Sequence, residues 1–155
     1  NEPDLIIADE PTTALDVTTQ AQILYEVQKL SREFGTSWIW ITHDRAVVAG
    51  LARHVAVMYA GRIVEHGPVD DLLDRPSHPY TKGLIGSIPG EGQAGRRLQQ
   101  IPGNAPSLLN LPEGCAFRPR CPRADESCGV TPGHRTLADG RGIRCWHPVA
   151  LEAVR

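Results

Sequence analysis

The sequence predicts an α/β fold: parallel strands joined by a crossover helix, then a β-hairpin and a loop-rich extension. Three observations carry this. Two short apolar runs, at residues 5–8 and 37–42, flank a segment with one apolar face at helical spacing. A third apolar run at 54–59 is followed by a turn and a returning run. Beyond Arg75 the periodic stretches give out, and most of the 13 prolines lie there.

In order, residues 5–8 are continuously apolar and lead into Asp9-Glu10, the pattern of a strand buried on both faces. Asp16 suits an N-cap. After it, Val17, Ala21, Leu24, Val27, Leu30 and Phe34 recur at steps of three or four, one face of a helix that Gly35 ends. Residues 37–42 hold Trp38, Ile39, Trp40 and Ile41, a second strand. Strand, helix, strand reads as a right-handed crossover onto a parallel sheet. Residues 54–59, the Ala60-Gly61 turn and residues 62–65 read as a hairpin. Residues 68–73 fit a short helix opened by Pro68, and 78–88 fit another. The rest of the tail reads as loops that need a cross-link to hold a shape.

The 155 residues are 41% hydrophobic and 22% charged, an ordinary globular balance. A net charge of -2 gives no electrostatic case for nucleic acid or an anionic membrane. No apolar run approaches the roughly 20 residues that span a bilayer, so a membrane role is expected through a partner. The start has no initiator Met and no secretory signal, and lies just ahead of a strand, which predicts a truncated chain.

Asp9 and Glu10 fall at the C-terminal end of the first strand and His43 at that of the second. Neighbouring parallel strands thus deliver two acids and an imidazole to the sheet edge where such folds bind ligands. The set suits phosphoryl transfer to water. Mg²⁺ takes hard oxygen ligands and keeps some waters. A second carboxylate can orient and deprotonate the attacking water, and a neutral imidazole can contact a γ-phosphate oxygen.

The string Leu5-Ile-Ile-Ala-Asp9-Glu10-Pro11-Thr12-Thr13-Ala14-Leu15-Asp16, with Thr42-His43-Asp44 later, resembles the ATP-binding-cassette (ABC) ATPases. The resemblance implies the C-terminal half of a P-loop ABC domain over residues 1–74, with ATP and Mg²⁺ as cofactors. Asp9 would end the Walker B strand and hold Mg²⁺. Glu10 would be the general base and His43 the γ-phosphate contact. Asp16 would belong to the D-loop, at the interface with a second ABC ATPase subunit, identical or related; Thr13 stands where Ser is commoner. A P-loop and a signature loop are absent: the two lysines, Lys29 and Lys82, do not follow a Gly, and there is no Gly-Gly pair. No glutamine-loop candidate is found either. These motifs precede Walker B in the family. The expectation is that this segment alone binds ATP poorly and does not hydrolyse it.

Farther on, Pro76-Ser77-His78-Pro79-Tyr80-Thr81, Ile101-Pro102-Gly103 and Gly114-Cys115-Ala116-Phe117-Arg118-Pro119-Arg120-Cys121 resemble the C-terminal extension of oligopeptide and dipeptide importer ATPases, here residues 75–155. That implies a subunit powering peptide import at the cytoplasmic face of the membrane. Its partners would be two permease subunits and, indirectly, an extracytoplasmic substrate-binding protein, with no nucleic acid. The alternatives are an importer for nickel or another small solute, or a soluble non-transport ABC ATPase.

Cys115, Cys121, Cys128 and Cys145 are separated by five, six and sixteen residues, unlike a Cys-x-x-Cys zinc knuckle or a ferredoxin run. Four thiolates could converge on a metal, and the importer resemblance implies a [4Fe-4S] cluster; zinc, disulfides and free thiols stay open. Arg118, Arg120 and Arg123 are expected to lower the thiol pKa values and offset the cluster's charge. His147 is a reserve ligand. The expected role of a bound metal is to hold the loops together.

Overall fold

The computed structural model describes residues 3–87 and 100–149. The chain is mixed α/β, with one parallel and one antiparallel sheet, and divides into two compact units at Arg53/His54.

In the first unit, β1 (Leu5–Asp9) pairs in parallel with β2 (Ser37–Ile41), in register from Leu5↔Ser37 to Asp9↔Ile41. Between them runs α1 (Val17–Phe34), the 18 residues the periodicity predicts. Asp16 caps it by accepting from the N–H groups of Thr18 and Thr19. Gly35, at φ 69, ends it with an N–H bond to the Ser31 carbonyl, a conformation that costs glycine nothing. The short α2 (Arg45–Leu51) was not anticipated; Asp44 caps it, and Val47 is its buried residue.

One expectation is corrected. β1 is not buried on both faces: burial alternates, and Leu5, Ile7, Ile39 and Ile41 are exposed, Ile7 by 64%. Two strands make a narrow sheet, and no described element of this unit covers that side.

The second unit is built on β3 (His54–Tyr59) and β4 (Arg62–Pro68), antiparallel, with a bulge between Val57 and Met58. Ala60 and Gly61, at φ 49 and 75, make the two-residue turn with both centres left-handed that matches strand twist. β4 runs three residues past the expected hairpin, because Glu65 and His66 also pair with β6 (Gly142–Ile143). β5 (Arg135–Thr136) completes the order β3-β4-β6-β5. His66 and His134 reach over Gly142, and a Cβ there would push their ring tips aside. The two Nε2 atoms are 3.0 Å apart in nearly coplanar rings, whose centroids, at 5.3 Å, are farther apart than the nitrogens by two ring radii. The rings therefore meet tip to tip through one shared proton.

Helix α3 (Val69–Asp74) follows Pro68, with Asp70 and Asp71 in its first turn where the helix dipole favours them. Helix α4 (Pro79–Gly86) falls inside the expected 78–88, whose last residue lies outside the described set. The tail holds two 3₁₀ turns, Arg118–Arg120 and Glu126–Gly129. It packs through Phe117, 2% exposed, against Tyr59 and Val64, with Tyr80 and Ile101 at the edge. The Tyr59–Phe117 ring pair is edge-on at 5.2 Å, a favoured aromatic geometry.

A buried polar network ties the tail to the hairpin. Glu65 accepts from the N–H groups of Ser77 (2.7 Å) and His78 (2.9 Å). Arg141 reaches Glu65 at 3.6 Å, donates to the Arg75 carbonyl (2.6 Å) and the Ser77 hydroxyl (2.9 Å), and pairs with Asp139 at 2.8 Å. Glu65 and Arg141 are both 0% exposed. Sequence reading assigned neither a role.

His78 caps α4 by accepting the Tyr80 N–H at Nδ1, 3.0 Å away. Burial lowers its pKa to about 4, against a smaller opposing effect of a backbone hydrogen bond at Arg144. An unfolded imidazole, with a pKa of about 6.5, takes up its proton first. His78 therefore contributes stability fully above about pH 6.5, and loses it as pH falls from there through about 4. The expected loss is about 3 kcal/mol, read from urea midpoints across that range. His78→Asn, which keeps a capping side chain, should flatten this part of the profile.

Candidate functional site

The first site is assembled where β1 and β2 end. After Asp9↔Ile41 the pairing continues one step, because the Glu10 N–H donates to the Ile41 carbonyl at 2.9 Å. The chain then turns, with the Thr13 N–H closing on the Glu10 carbonyl at 3.1 Å. Glu10 sits at φ 45 and Ala14 at φ 66, left-handed positions that cost an L-residue roughly 1–2 kcal/mol. Backbone strain of this kind concentrates at functional sites. Here it directs Glu10 toward the end of β2.

Glu10 and His43 are brought together. His43 Nδ1 lies 3.2 Å from one Glu10 carboxylate oxygen, and the Thr13 hydroxyl donates to the other at 2.8 Å. These bonds, Thr13 first and His43 second, hold the Glu10 carboxyl below the usual carboxylate range. It is thus an ionised acceptor at neutral pH, gripped on one oxygen and steered by an imidazole on the other. Both side chains remain open to solvent. Asp9 is exposed at the last register position of β1, a single peptide from Glu10. The Thr42 hydroxyl accepts the Asp44 N–H at 3.0 Å and fixes the turn after His43.

Asp16 is engaged locally. One carboxylate oxygen accepts the Thr18 and Thr19 N–H groups at 3.0 Å each, and the other the Thr19 hydroxyl at 2.6 Å. The Thr19 hydroxyl is the largest cause holding its pKa down. Thr13, not assigned chemistry from the sequence, proves to be a contact of Glu10; its signal was its place three residues on, within reach across a turn.

The second site lies in the tail. Cys115, Cys121, Cys128 and Cys145 all border one small cavity with Arg118, Arg123 and His147, and all four are free thiols. The Cys115 N–H donates to the Cys128 carbonyl at 3.0 Å, joining the two loops. Gly114, at φ 80, allows this approach, since a Cβ there would lie 2.4 Å from that carbonyl.

The expected lowering of the thiol pKa values is corrected. Burial, with the neighbouring thiols adding to it, pushes Cys115 and Cys121 up and Cys145 up to about 11. At Cys121 the Arg123 backbone N–H is the main opposing influence, and the Arg123 charge contributes least. Arg120 is turned elsewhere, donating to the Pro102 carbonyl and lying over the Tyr59 ring. Beside Cys128, His147 Nε2 lies 2.8 Å from Asp125, whose pKa is lowered to about 2, first by Ser127 and then by His147.

Residues 64–128 match the family described as "Oligopeptide/dipeptide transporter, C-terminal region". Over 147 residues it is 51% identical to the oligopeptide transport ATP-binding protein OppD of Salmonella typhimurium, spanning 95% of this chain and 44% of that protein. It is 51% identical over 144 residues to OppD of Haemophilus influenzae, spanning 93% and 45%. It is 49% identical over 146 residues to the dipeptide transport ATP-binding protein DppD of Bacillus subtilis, spanning 94% and 44%. The chain therefore spans less than half the length of these relatives. Among the described residues no helix is long and apolar enough to cross a membrane.

Proposed function

We propose that this chain is part of an ATP-hydrolysing subunit that powers the import of di- and oligopeptides. The observation that carries the reading is the Glu10–His43 contact at the shared end of two parallel strands. In this reading Asp9 holds Mg²⁺ and Glu10 accepts the proton of the attacking water. His43, bonded to Glu10, contacts the γ-phosphate and couples its presence to the base. Positioning and charge stabilisation supply most of the rate in such transfers. Asp16 keeps the D-loop in shape as a helix cap, at the interface with a second ATPase subunit. Two permease subunits carry the peptide, and the ATPase is peripheral at the cytoplasmic face. The ABC-domain segment is residues 1–74 and the importer-type extension 75–155; the family match at 64–128 spans the junction.

The four thiols border one cavity without a disulfide among them, a donor set that fits a thiolate-held metal group, [4Fe-4S] or zinc. Cys115, Cys121, Cys128 and Cys145 would hold it. When bound it would supply a cross-link between loops that share little regular structure.

Uptake of labelled peptides by cells carrying the intact transporter tests the import reading. Uptake should require this subunit and be competed by unlabelled di- or oligopeptides. Competition by nickel chelates, with peptides having no effect, would replace the substrate.

A further inference from the structure

We propose that Asp125 and His147 are positioning residues for the four-thiol set: they lock the loop that carries Cys128 to the loop that carries Cys145, and are not ligands themselves. This rests on the reading of Cys115, Cys121, Cys128 and Cys145 as one metal-holding set. Asp125 caps the 3₁₀ turn Glu126–Gly129, on which Cys128 lies. His147 stands two residues after Cys145. Its Nε2 lies 2.8 Å from Asp125 Oδ1. A second bond runs beside it, from the Trp146 indole N–H to the Val130 carbonyl at 2.9 Å. Consecutive residues of the Cys145 loop thus grip the Cys128 turn at both of its ends.

The chemistry of the pair keeps it outside the ligand set. Asp125 is ionised, its pKa lowered to about 2 by Ser127 first and His147 second. Its Oδ1 also accepts the Ser127 N–H (2.9 Å) and hydroxyl (2.6 Å). An ionised carboxylate only accepts, so the Nε2 facing it carries a proton. A protonated ring nitrogen has no lone pair for a metal, so His147 is not a ligand through Nε2. Both atoms of the pair still lie within 4.8 Å of the Cys128 sulfur. Bonds at that remove fix metal ligands in place.

The clamp reaches a thiol through the backbone. The His147 backbone N–H bonds to Cys145, as those of Phe117 and Arg118 do to Cys115 and that of Arg123 does to Cys121. Each such bond favours the thiolate, against the burial that raises all three. His147 therefore serves twice: its ring joins the Cys128 loop while its peptide N–H rests on the Cys145 sulfur. Cys145 is the member that needs such a tie. It lies sixteen residues beyond Cys128. The Cys115 loop is already held, by the Cys115 N–H on the Cys128 carbonyl and the Thr131 hydroxyl on the Gly114 carbonyl, each at 3.0 Å.

The test uses the intact protein, reduced, stripped of metal and titrated with Co²⁺ without oxygen. In the wild type each bound cobalt should protect four thiols from a thiol reagent. Asp125→Ala and His147→Ala should each weaken binding by about 10–100-fold. Both should still protect four thiols at saturation, and both should shift the thiolate-to-cobalt absorption band, because the N–H on Cys145 is loosened. The double variant should lose no more than either single one, since the two residues act as a pair. Asp125→Asn, whose side-chain oxygen still accepts, should restore most of the affinity. Unchanged affinity in both alanine variants would overturn the proposal, and so would additive losses in the double variant. Three protected thiols per cobalt in the wild type would make His147 a ligand and overturn it too; that count needs no variant, so a misfolded mutant cannot hide the answer. Absence of cobalt binding in the wild type would remove the four-thiol reading along with the proposal, whereas normal binding with unaffected variants would remove the proposal alone.

Discussion

Arg141→Ala should destabilise the unit that begins at His54 by about 3–5 kcal/mol, the cost of leaving a buried charge without its partner. Glu65 would keep its two backbone N–H donors but lose the cation at 3.6 Å. The Arg75 carbonyl and Ser77 hydroxyl would lose a donor in the same step. Arg141→Lys should rescue little, since one ammonium cannot reproduce the guanidinium fork. Replacing both members, as Glu65→Gln with Arg141→Met, should recover part of the loss, because the fully buried carboxylate is gone while the more exposed Asp139 still loses its cation. Hydrogen exchange at β4 and β6 reads the effect where it originates. Unchanged protection in Arg141→Ala would mean that the network contributes no net stability.

Glu10→Gln in the intact protein should lower single-turnover ATP hydrolysis by about 10²–10⁴-fold, the usual worth of a positioned general base. ATP binding should persist, because glutamine keeps the shape and loses only the ability to accept a proton. Thr13→Ala should have a smaller effect in the same direction, since it removes one of the two bonds that hold the carboxylate. Loss of ATP binding along with hydrolysis in Glu10→Gln would assign Glu10 to holding the nucleotide.

The parallel pair and its crossover helix were legible because periodicity, Asp16 and Gly35 all point to the same element. The partnership of Glu10 and His43 was legible at the level of strand ends. Its closeness was not, because it depends on the left-handed turn at Glu10, which has no composition signal. Helix α2 escaped because its seven residues, mostly small and apolar, carry too few turns to show a period. Strands β5 and β6 are two residues each and owe their place to backbone pairing, β6 with β4 and β5 with β6. Arg141 carries no signal in the sequence, since most arginines lie at the surface. What buries it is a set of partners spread over Glu65, Arg75, Ser77 and Asp139, and no local pattern records them. The cysteine spacing matched no known knuckle, yet the thiols border a common cavity because Gly114 lets two loops touch.

The most direct measurement is ATP hydrolysis by the assembled transporter in lipid vesicles, with and without peptide. The account predicts that peptide raises turnover in the wild type and that Glu10→Gln lowers both the basal and the stimulated rates by about 10²-fold or more. Turnover indifferent to peptide would contradict the import reading, and turnover that survives Glu10→Gln would contradict the site.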